Sequence, residues 1–290
     1  MVVSGFTFIR NAIKFDYPVV EAIRSILPLC DEFIVAVGRS EDGTRELIQS
    51  MGDPRIRIID TVWDDDLREG GRVLAIETDK AFDAISPQST WAFYIQADEA
   101  LHEKYLAPVK DSMHRYAQDP QVEGLLFEYM HFYGSYDYIG DSRAWYRREV
   151  RVIRNDKSIR SYLDAQGFRK NGRKLSVLPA NAAIFHYGWV KPPARQQAKQ
   201  ENFHRYWHND QWMEREIPKK ADFDYTQIDS LAHFSGTHPA IMQERINRMN
   251  WKFDHDPTRK SVSFIQRLLG IIERWTGWRP GEYKNYRIER

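Results

Sequence analysis

The chain has 290 residues, 42% of them hydrophobic and 29% charged, which is enough to bury the core of one large α/β domain or of one domain with an appendage. Its formal net charge of +1 argues against a nucleic-acid-binding protein, because such proteins carry a strong basic field. The single cysteine, Cys30, excludes an internal disulfide, and its apolar neighbours predict an inert core thiol, which fits a reducing cytoplasm.

Residues 1–100 alternate between strand patterns and helix patterns. Strands are predicted, in chain order, at VVSGFTFI, EFIVAVG, IRIIDTVW and WAFYIQ. Helices are predicted between them at DYPVVEAIRSILPLC, with Asp16 as a candidate cap, at DGTRELIQSM and at GGRVLAIETDKAFDAI. Such alternation is typical of a parallel sheet covered by helices on both faces, with ligands bound at the carboxyl ends of its strands.

The pattern is looser after residue 100. A helix at EKYLAPVKDSMHRYAQ precedes strands at VEGLLFEYMHFYG, YRREVRVIRN and LSVLPANAAIFHYG. A polar helix is predicted from Pro193 to Trp207, and SVSFIQRLLGIIERWTGW predicts a last helix. We therefore divide the chain into segments 1–100, 101–210 and 211–290, of which the first two share one core.

The fourth strand pattern runs directly into two carboxylates, Asp98 and Glu99. Carboxylates are seldom fully buried unless they are paired or bound to a cation, so this strand end is a candidate site. The alternative is that both acids cap a helix that follows them.

Four stretches together resemble a known family. VVSGFTFIRN, EFIVAVGRSEDGTRELI, GGRVLAIETDKAFDA and WAFYIQADE follow the order and spacing of motifs in inverting family-two glycosyltransferases with the GT-A fold. The chain most resembles bacterial members that make surface polysaccharides, well over its first third and loosely beyond. The resemblance implies a Rossmann-like, mostly parallel central sheet with helices on both faces and a C-terminal helical appendage. It also implies that 1–100 binds the nucleotide sugar and 101–210 the acceptor.

The resemblance implies a divalent cation at the carboxylates. The family's D-x-D motif, which holds the cation against the donor diphosphate, corresponds here to Gln96, Ala97 and Asp98, so that only the second acid is kept. Oxygen ligands suit Mg²⁺ or Mn²⁺. Asp98 is the first predicted metal ligand, supported by Glu99, and His186 in FHYGWV is a further ligand or else a hydrogen-bonded histidine in an aromatic wall.

Contacts to the nucleotide are expected from six positions. The family pattern implies that they include Gln96 and Asp98 of the motif, with Arg10, Asn11, Asp42 and Arg72. Asp42 lies in GRSEDGT, where Gly38 stands at the position of the aspartate that usually contacts base or ribose, and capping of the next helix is the preferred explanation of Asp42. An arginine suits phosphate oxygens, although Arg72 also fits an exposed helix surface.

An inverting transfer needs a carboxylate that takes the proton of the acceptor hydroxyl. Asp164 is the expected base, because it is an acid within a basic stretch: residues 143–174 contain 11 Lys or Arg and 3 Asp or Glu. That field favours a diphosphate or an anionic acceptor. Asp164 is alternatively an ion-pair partner of the arginines, and Glu149 and Asp137 are competing candidates for the base.

The last helix pattern is amphipathic. One face carries Phe264, Leu268, Ile271, Ile272 and Trp275, and the other carries Arg267, Glu273 and Arg274. Packing on the protein or on another subunit is the preferred interpretation, and contact with an anionic membrane is the second. The sequence contains no secretory signal and no apolar run of the ~20 residues that a bilayer-spanning helix needs, so we expect a cytoplasmic protein, peripheral at most on the inner face of the plasma membrane.

The predicted function is transfer of a sugar from a nucleotide-sugar donor to a hydroxyl of a saccharide or a lipid-linked saccharide, with inversion and a divalent metal. Two alternatives stay open: a nucleotidyltransferase that acts on a sugar phosphate, and a catalytically inactive saccharide-binding protein. The second is suggested by Gln96 and Gly38, which stand where the family has acids.

Overall fold

A computed structural model describes residues 1–217, 220–261 and 263–289, without the side chains of Phe264, Arg267 and Arg274. Its strands are β1 (Val3–Ile9), β2 (Glu32–Gly38), β3 (Ile56–Thr61), β4 (Trp91–Tyr94), β5 (Glu99–Leu101), β6 (Gly124–Tyr133), β7 (Tyr138–Gly140), β8 (Arg148–Arg154), β9 (Ile159–Tyr162), β10 (Gly167–Lys170), β11 (Arg173–Trp189), β12 (Leu231–His233) and β13 (Tyr286–Ile288).

The helices are α1 (Val19–Ile26), α2 (Thr44–Gln49), α3 (Arg72–Asp83), α4 (Leu106–Tyr116), α5 (Pro193–His204), α6 (Asp210–Glu216), α7 (Gln243–Asn247) and α8 (Phe264–Thr276). Short 3₁₀ turns lie at Leu27–Leu29, Glu103–Tyr105 and Ala240–Met242. In the described part of the chain, none of these helices is both long enough and apolar enough to span a bilayer.

The central sheet has the order β3-β2-β1-β4-β8-β6-β11 and continues into β10 and β9. Strands β3, β2, β1 and β4 are parallel to one another, β8 is antiparallel to both of its neighbours, and β11 is parallel to β6. Because β8 is antiparallel both to β4 and to β6, strands β6 and β11 run in the same direction as β1 and β4. The predicted mostly parallel α/β sheet is confirmed.

Side-chain alternation divides the core between the two faces of this sheet. In β2, Phe33 and Val35 belong to a cluster that also contains residues of α1 and α4. Ile34 and Ala36, between and beyond them, belong to a second cluster that contains Phe82 of α3. Helices therefore cover both faces, as predicted.

The C-terminal segment contributes strands as well as helices. Strand β13 pairs with β11 of the central sheet, and β12 pairs with β7. Met242, which ends a 3₁₀ turn, is buried with Phe132 of β6 and Phe185 of β11. In addition to its helices, segment 211–290 therefore contributes paired strands and a buried side chain to the rest of the fold.

The first predicted helix is shorter than the sequence pattern indicates. Asp16 does not cap it, because Asp16 lies in the left-handed region at φ 51° and α1 begins three residues later, after Pro18. The Asp16 carboxylate instead accepts a hydrogen bond from Arg245, and its carbonyl oxygen accepts one from Lys191. The entry to α1 is thus fixed by tertiary contacts.

Candidate active site

A cavity of about 390 Å³ lies where the carboxyl ends of β1, β4, β6 and β11 meet. Parallel strands place the residues that follow them at one edge of the sheet, which is where ligands bind in open α/β sheets. Five of the predicted site residues line this cavity: Arg10, Gln96, Asp98, Asp164 and His186. Residues far apart in sequence therefore share one cleft.

Asp98 occupies the turn between β4 and β5, and it is 8% exposed. Its Oδ2 accepts a hydrogen bond from Nζ of Lys199 on α5 at 3.0 Å and lies 3.7 Å from Nε2 of His186. Burial alone would raise the pKa of Asp98, but Lys199 and His186 hold it well below the usual carboxyl range. Asp98 is thus a carboxylate at neutral pH. Strand β5 follows it, so Asp98 does not cap a helix.

A histidine pair fixes the orientation of His186. Nε2 of His131 lies 2.9 Å from the carbonyl oxygen of Tyr146, which only accepts, so this nitrogen carries the proton. Burial and the neighbouring His186 lower the pKa of His131 well below its usual value, so His131 is neutral and its Nδ1 accepts from Nδ1–H of His186 at 3.1 Å. In a neutral His186 the lone pair is then on Nε2, which faces Asp98.

The space between these two side chains exists because residue 188 is glycine. A Cβ at Gly188 would lie 2.5 Å from Nε2 of His186 and 2.8 Å from Oδ2 of Asp98. The cradle of one carboxylate oxygen and one imidazole nitrogen fits Mg²⁺ or Mn²⁺. Within the described ranges no three His, Cys, Asp or Glu side chains form a metal-binding group, so diphosphate oxygens and water would supply the other ligands, as is usual for Mg²⁺.

Glu99 is not available to a cation. Its side chain is fully buried, and Arg151 donates to both carboxylate oxygens at 2.8 and 2.9 Å. The hydroxyl of Tyr129 and the backbone N–H of Gln96 donate to it as well. The predicted supporting role of Glu99 at the metal is therefore replaced by a structural ion pair behind the cavity.

Asp164 lies in the turn between β9 and β10, in an unusual backbone. Its neighbours Leu163 and Ala165 both adopt positive φ, 52° and 61°, which is uncommon for residues with a Cβ. Gln96, in place of the first acid of the D-x-D motif, donates to the carbonyl oxygen of Ala165 at 3.1 Å. A Cβ at Gly71 would lie 2.8 Å from Cβ of Asp164, so a glycine is needed where this turn packs against the start of α3.

Burial raises the pKa of Asp164, against the lowering effect of hydrogen bonds from backbone N–H groups of its own turn. This raised pKa suits a general base better than an ordinary surface carboxylate does. Neither competing acid lines the cavity: Glu149 is buried beneath it, with Oε1 accepting from Gln166, and Asp137 is exposed and accepts from Ser135.

Arg10 and Trp63 form another wall of the cavity. The guanidinium of Arg10 lies 5.6 Å from the centre of the Trp63 ring and is paired with Asp65. A Cβ at Gly38 would lie 2.3 Å from Nε1 of Trp63, so the indole fills the space where the family pattern has an aspartate. The indole N–H has no hydrogen-bond partner among the described residues.

Three predicted nucleotide contacts do not line the cavity. Asn11 accepts from the backbone N–H of Glu41, and Asp42 accepts from the backbone N–H groups of Lys14 and Thr44. Both therefore join the loops after β1 and β2. Asp42 accepts from the N–H of Thr44, the first residue of α2, but the N-cap residue of that helix is Gly43. Arg72 is exposed on the first turn of α3.

Sequence reasoning missed Lys199 and most of the aromatic lining. Lys199 lies in the predicted polar helix, but its sequence gives no sign of a partner 101 residues away. The aromatic residues that line the cavity are Phe8, Phe15, Tyr17, Trp63, Trp145, Tyr146, Trp189, Phe203 and Tyr206. Such a lining with a few convergent polar groups is typical of small-molecule sites.

No protein-family profile matches the chain, and no curated protein matches it. Among solved structures, glucosyl-3-phosphoglycerate synthase from Mycobacterium tuberculosis, crystallised with Mn²⁺, UDP and phosphoglyceric acid, is 18% identical over 45% of this chain and 43% of its own, with a TM-score of 0.31. TarS from S. aureus is 12% identical over 70% of this chain and 39% of its own, with a TM-score of 0.36.

A third structure, 4-diphosphocytidyl-2C-methyl-D-erythritol synthase from Anaerococcus prevotii, is 10% identical over 53% of this chain and 71% of its own, with a TM-score of 0.33. The first two neighbours are GT-A-type glycosyltransferases and the third is a nucleotidyltransferase. The chain spans less than half the length of the first two. Because these superpositions are partial, the function below is argued from the residues of the site.

Proposed function

We propose that the protein is a glycosyltransferase of the GT-A type that moves a sugar from a nucleotide-sugar donor to an acceptor hydroxyl with inversion. One observation carries this proposal. Residues predicted for donor, cation and base, at positions 10, 96, 98, 164 and 186, lie in a single aromatic-lined cavity at the carboxyl edge of the sheet. Mg²⁺ or Mn²⁺ is the cofactor that the same residues favour.

The donor is held by charge and by ring contacts. Arg10 offers guanidinium N–H groups to phosphate oxygens, and the Trp63 ring beside it lines the cavity, where a base or ribose can pack. Asp98 and His186 would hold the divalent cation. When bound, that cation supplies positive charge to the diphosphate as it leaves.

Asp164 acts on the acceptor. As the acceptor hydroxyl oxygen forms a bond to the anomeric carbon, the bond from that carbon to the diphosphate oxygen breaks and its electron pair stays on the diphosphate. The hydroxyl proton passes to the Asp164 carboxylate, which the positive-φ turn holds in the cavity. A single displacement of this kind inverts the anomeric carbon.

The acceptor is a saccharide, free or lipid-linked. Trp145 and Trp189 line the cavity and offer aromatic faces to sugar rings. A lipid-linked acceptor would place the protein on a membrane surface, for which α8 supplies an apolar face: Ile265, Leu268 and Trp275 are exposed. Residues 259–290 contain eight Lys or Arg and three Glu, which suits an anionic lipid surface.

Calorimetry with nucleotide sugars, nucleoside triphosphates and free saccharides, each with and without Mn²⁺, tests the proposal. We expect a nucleotide sugar to bind and to be hydrolysed or transferred, and Asp98→Ala to abolish turnover without loss of fold. Preference for triphosphates would favour a nucleotidyltransferase, and saccharide binding without turnover would favour an inactive binding protein. Near-normal turnover of Asp98→Ala would contradict the mechanism.

A further inference from the structure

Lys199 lies on the carboxylate that the proposed function assigns to the cation. Its ammonium donates to Oδ2 of Asp98 at 3.0 Å and to the carbonyl oxygen of Gly188 at 2.9 Å. The side chains of Lys199 and Asp98 are each 12% exposed. This pair is therefore shielded from solvent. A shielded ion pair is stronger than one at the protein surface.

The ammonium group has donor capacity left for a ligand. A lysine ammonium carries three N–H groups, and within the described part of the chain two of them are accounted for by Asp98 and Gly188. Lys199 also lines the cavity, and its ammonium lies 5.1 Å from the Tyr17 ring. The side chain therefore reaches the space where a diphosphate would lie.

A second lysine lies close to the same site. Nζ of Lys191, which is fully buried, lies 4.4 Å from the centre of the same Tyr17 ring and donates to the carbonyl oxygen of Asp16. Burial and the neighbouring Lys199 lower the pKa of Lys191 well below its usual value, so Lys199 is the main source of positive charge at Asp98. A divalent cation that enters alone meets a carboxylate already paired with the Lys199 ammonium, so this arrangement disfavours its binding. A diphosphate removes that penalty because it brings at least two negative charges.

We propose that Lys199 occupies the cation site while no nucleotide is bound, and that a bound diphosphate draws its ammonium away from Asp98. The lysine stem is flexible and its three donors rotate, so the ammonium can exchange the carboxylate for a phosphate oxygen. Asp98 Oδ2 is then released for the cation. Divalent cation and nucleoside diphosphate consequently bind together and not independently. This inference rests on the proposed function.

The coupling is reciprocal and has a specific sign. If UDP raises the affinity for Mn²⁺, Mn²⁺ raises the affinity for UDP by the same factor. Lys199→Met removes the ammonium from Asp98, so the variant should bind Mn²⁺ alone more tightly than the wild type and bind UDP more weakly. Lys199→Arg keeps the positive charge and should resemble the wild type.

Electron paramagnetic resonance of free Mn²⁺ measures this without turnover. Full-length wild type, Lys199→Met, Lys199→Arg and the matched control Lys110→Met, an exposed lysine on α4, are titrated with Mn²⁺ with and without UDP. We expect UDP to raise the Mn²⁺ affinity of the wild type by roughly tenfold or more, and Lys199→Met to raise it by a similar factor without UDP. Lys110→Met should change neither.

Two results would overturn the inference. One is wild-type binding of Mn²⁺ that is equally tight with and without UDP, a measurement that needs no variant. The other is a folded Lys199→Met, checked by its thermal melt, that binds Mn²⁺ alone no more tightly than Lys110→Met. If neither UDP nor another nucleoside diphosphate binds the wild type with or without Mn²⁺, the proposed function fails, and this inference fails with it.

Discussion

The carboxylate of Asp164 is held at a backbone cost. Two flanking residues with positive φ, neither of them glycine, each cost of the order of 1 kcal/mol or more and persist only where the surrounding structure imposes them. Gln96 supplies one such restraint through Ala165, and the close packing on Gly71 supplies another. Gln96 thus brings no charge to the cavity, and its amide N–H restrains the turn that carries the proposed base.

Replacing Asp164 with Asn should remove the base and preserve the shape of the turn. We expect the turnover number for sugar transfer, or for hydrolysis of the donor if water is the acceptor, to fall by roughly 10²- to 10⁴-fold. The donor KM should change little, because Asp164 is assigned to the acceptor proton. Steady-state kinetics across pH 5–9 provide the measurement.

The pH profile separates a base from a structural residue. A base must be deprotonated, so the wild-type rate should fall on the acid side, at a higher pH than for an ordinary carboxyl group because burial raises the pKa of Asp164. The residual rate of Asp164→Asn should lack that acid limb. A variant with near-normal turnover, or with the same acid limb, would show that another group takes the proton.

Residues at strand ends were predictable, and pairings across the fold were not. Asp98 and His186 follow or end apolar strands, so the sequence alone predicts that both face the carboxyl edge. The motif resemblance ranks Asp98 above Glu99, but nothing in the sequence shows that Arg151, 52 residues further on, pairs with Glu99 and removes it from the site. Lys199 was missed for the same reason.

At the scale of elements, α8 presents an apolar face that the described residues do not cover. Trp275 is 87% exposed and Ile265 68%, whereas Glu273 faces the protein, where it pairs with Arg143 and Arg147. The preferred interpretation from sequence was packing on the protein itself or on another subunit; the exposed side chains do not pack on their own domain, and packing on another subunit stays a prediction. Helix α8 is amphipathic as predicted, but the described side chain that attaches it to the protein by ion pairs is the charged Glu273.

We expect the full chain to bind vesicles that contain an anionic phospholipid and not vesicles of phosphatidylcholine alone. Burial of Trp275 and Leu268 in the lipid interface and attraction by the basic C-terminal segment supply the binding energy. The double variant Leu268→Ser, Trp275→Ser should lose most of this binding. Co-sedimentation at low and at 0.5 M salt is the measurement, and high salt should weaken the wild-type binding.

A matched control is available at Val62, which is 73% exposed on another part of the molecule. Val62→Ser removes an exposed apolar side chain without touching α8, so vesicle binding should persist. If the wild type does not co-sediment with anionic vesicles, the proposal of membrane contact is contradicted. If the wild type is instead a dimer by light scattering and the double variant is a monomer, a second copy covers this face.

Long periodic elements were predictable, whereas short pairing strands were not. The patterns at β1, β2, β6 and α3 predict those elements to within a few residues, because each is long enough to show regularly spaced apolar residues that pack in the core. Strands β5, β7, β12 and β13 have three residues each, too few to show a period. Strand β11 is longer than predicted and changes register between Pro179 and Ala183, near the positive φ of Asn181.

At the scale of the whole molecule, buried ionisable groups beneath the cavity make folding stability depend on pH. Burial raises the pKa of Glu149 to about 7, although Arg151 acts to lower it. The ordinary value, 4.5, applies to the unfolded chain, so the folded protein binds this proton more tightly. The stabilisation from that proton is present below about pH 4.5 and is lost as pH rises through 7.

Replacing Glu149 with Gln should therefore stabilise the protein at pH 8 and have little effect at pH 5. A pKa raised from 4.5 to about 7 corresponds to roughly 3 kcal/mol in the free energy of unfolding at pH 8, and to less than about 1 kcal/mol at pH 5. Urea denaturation of the wild type and of Glu149→Gln at the two pH values measures the difference in their free energies of unfolding. Glu214→Gln, at an exposed position of α6, is the matched control and should show no such change. If the difference in the free energy of unfolding between the variant and the wild type is the same at pH 5 and pH 8, Glu149 has the same pKa in the folded and unfolded chains.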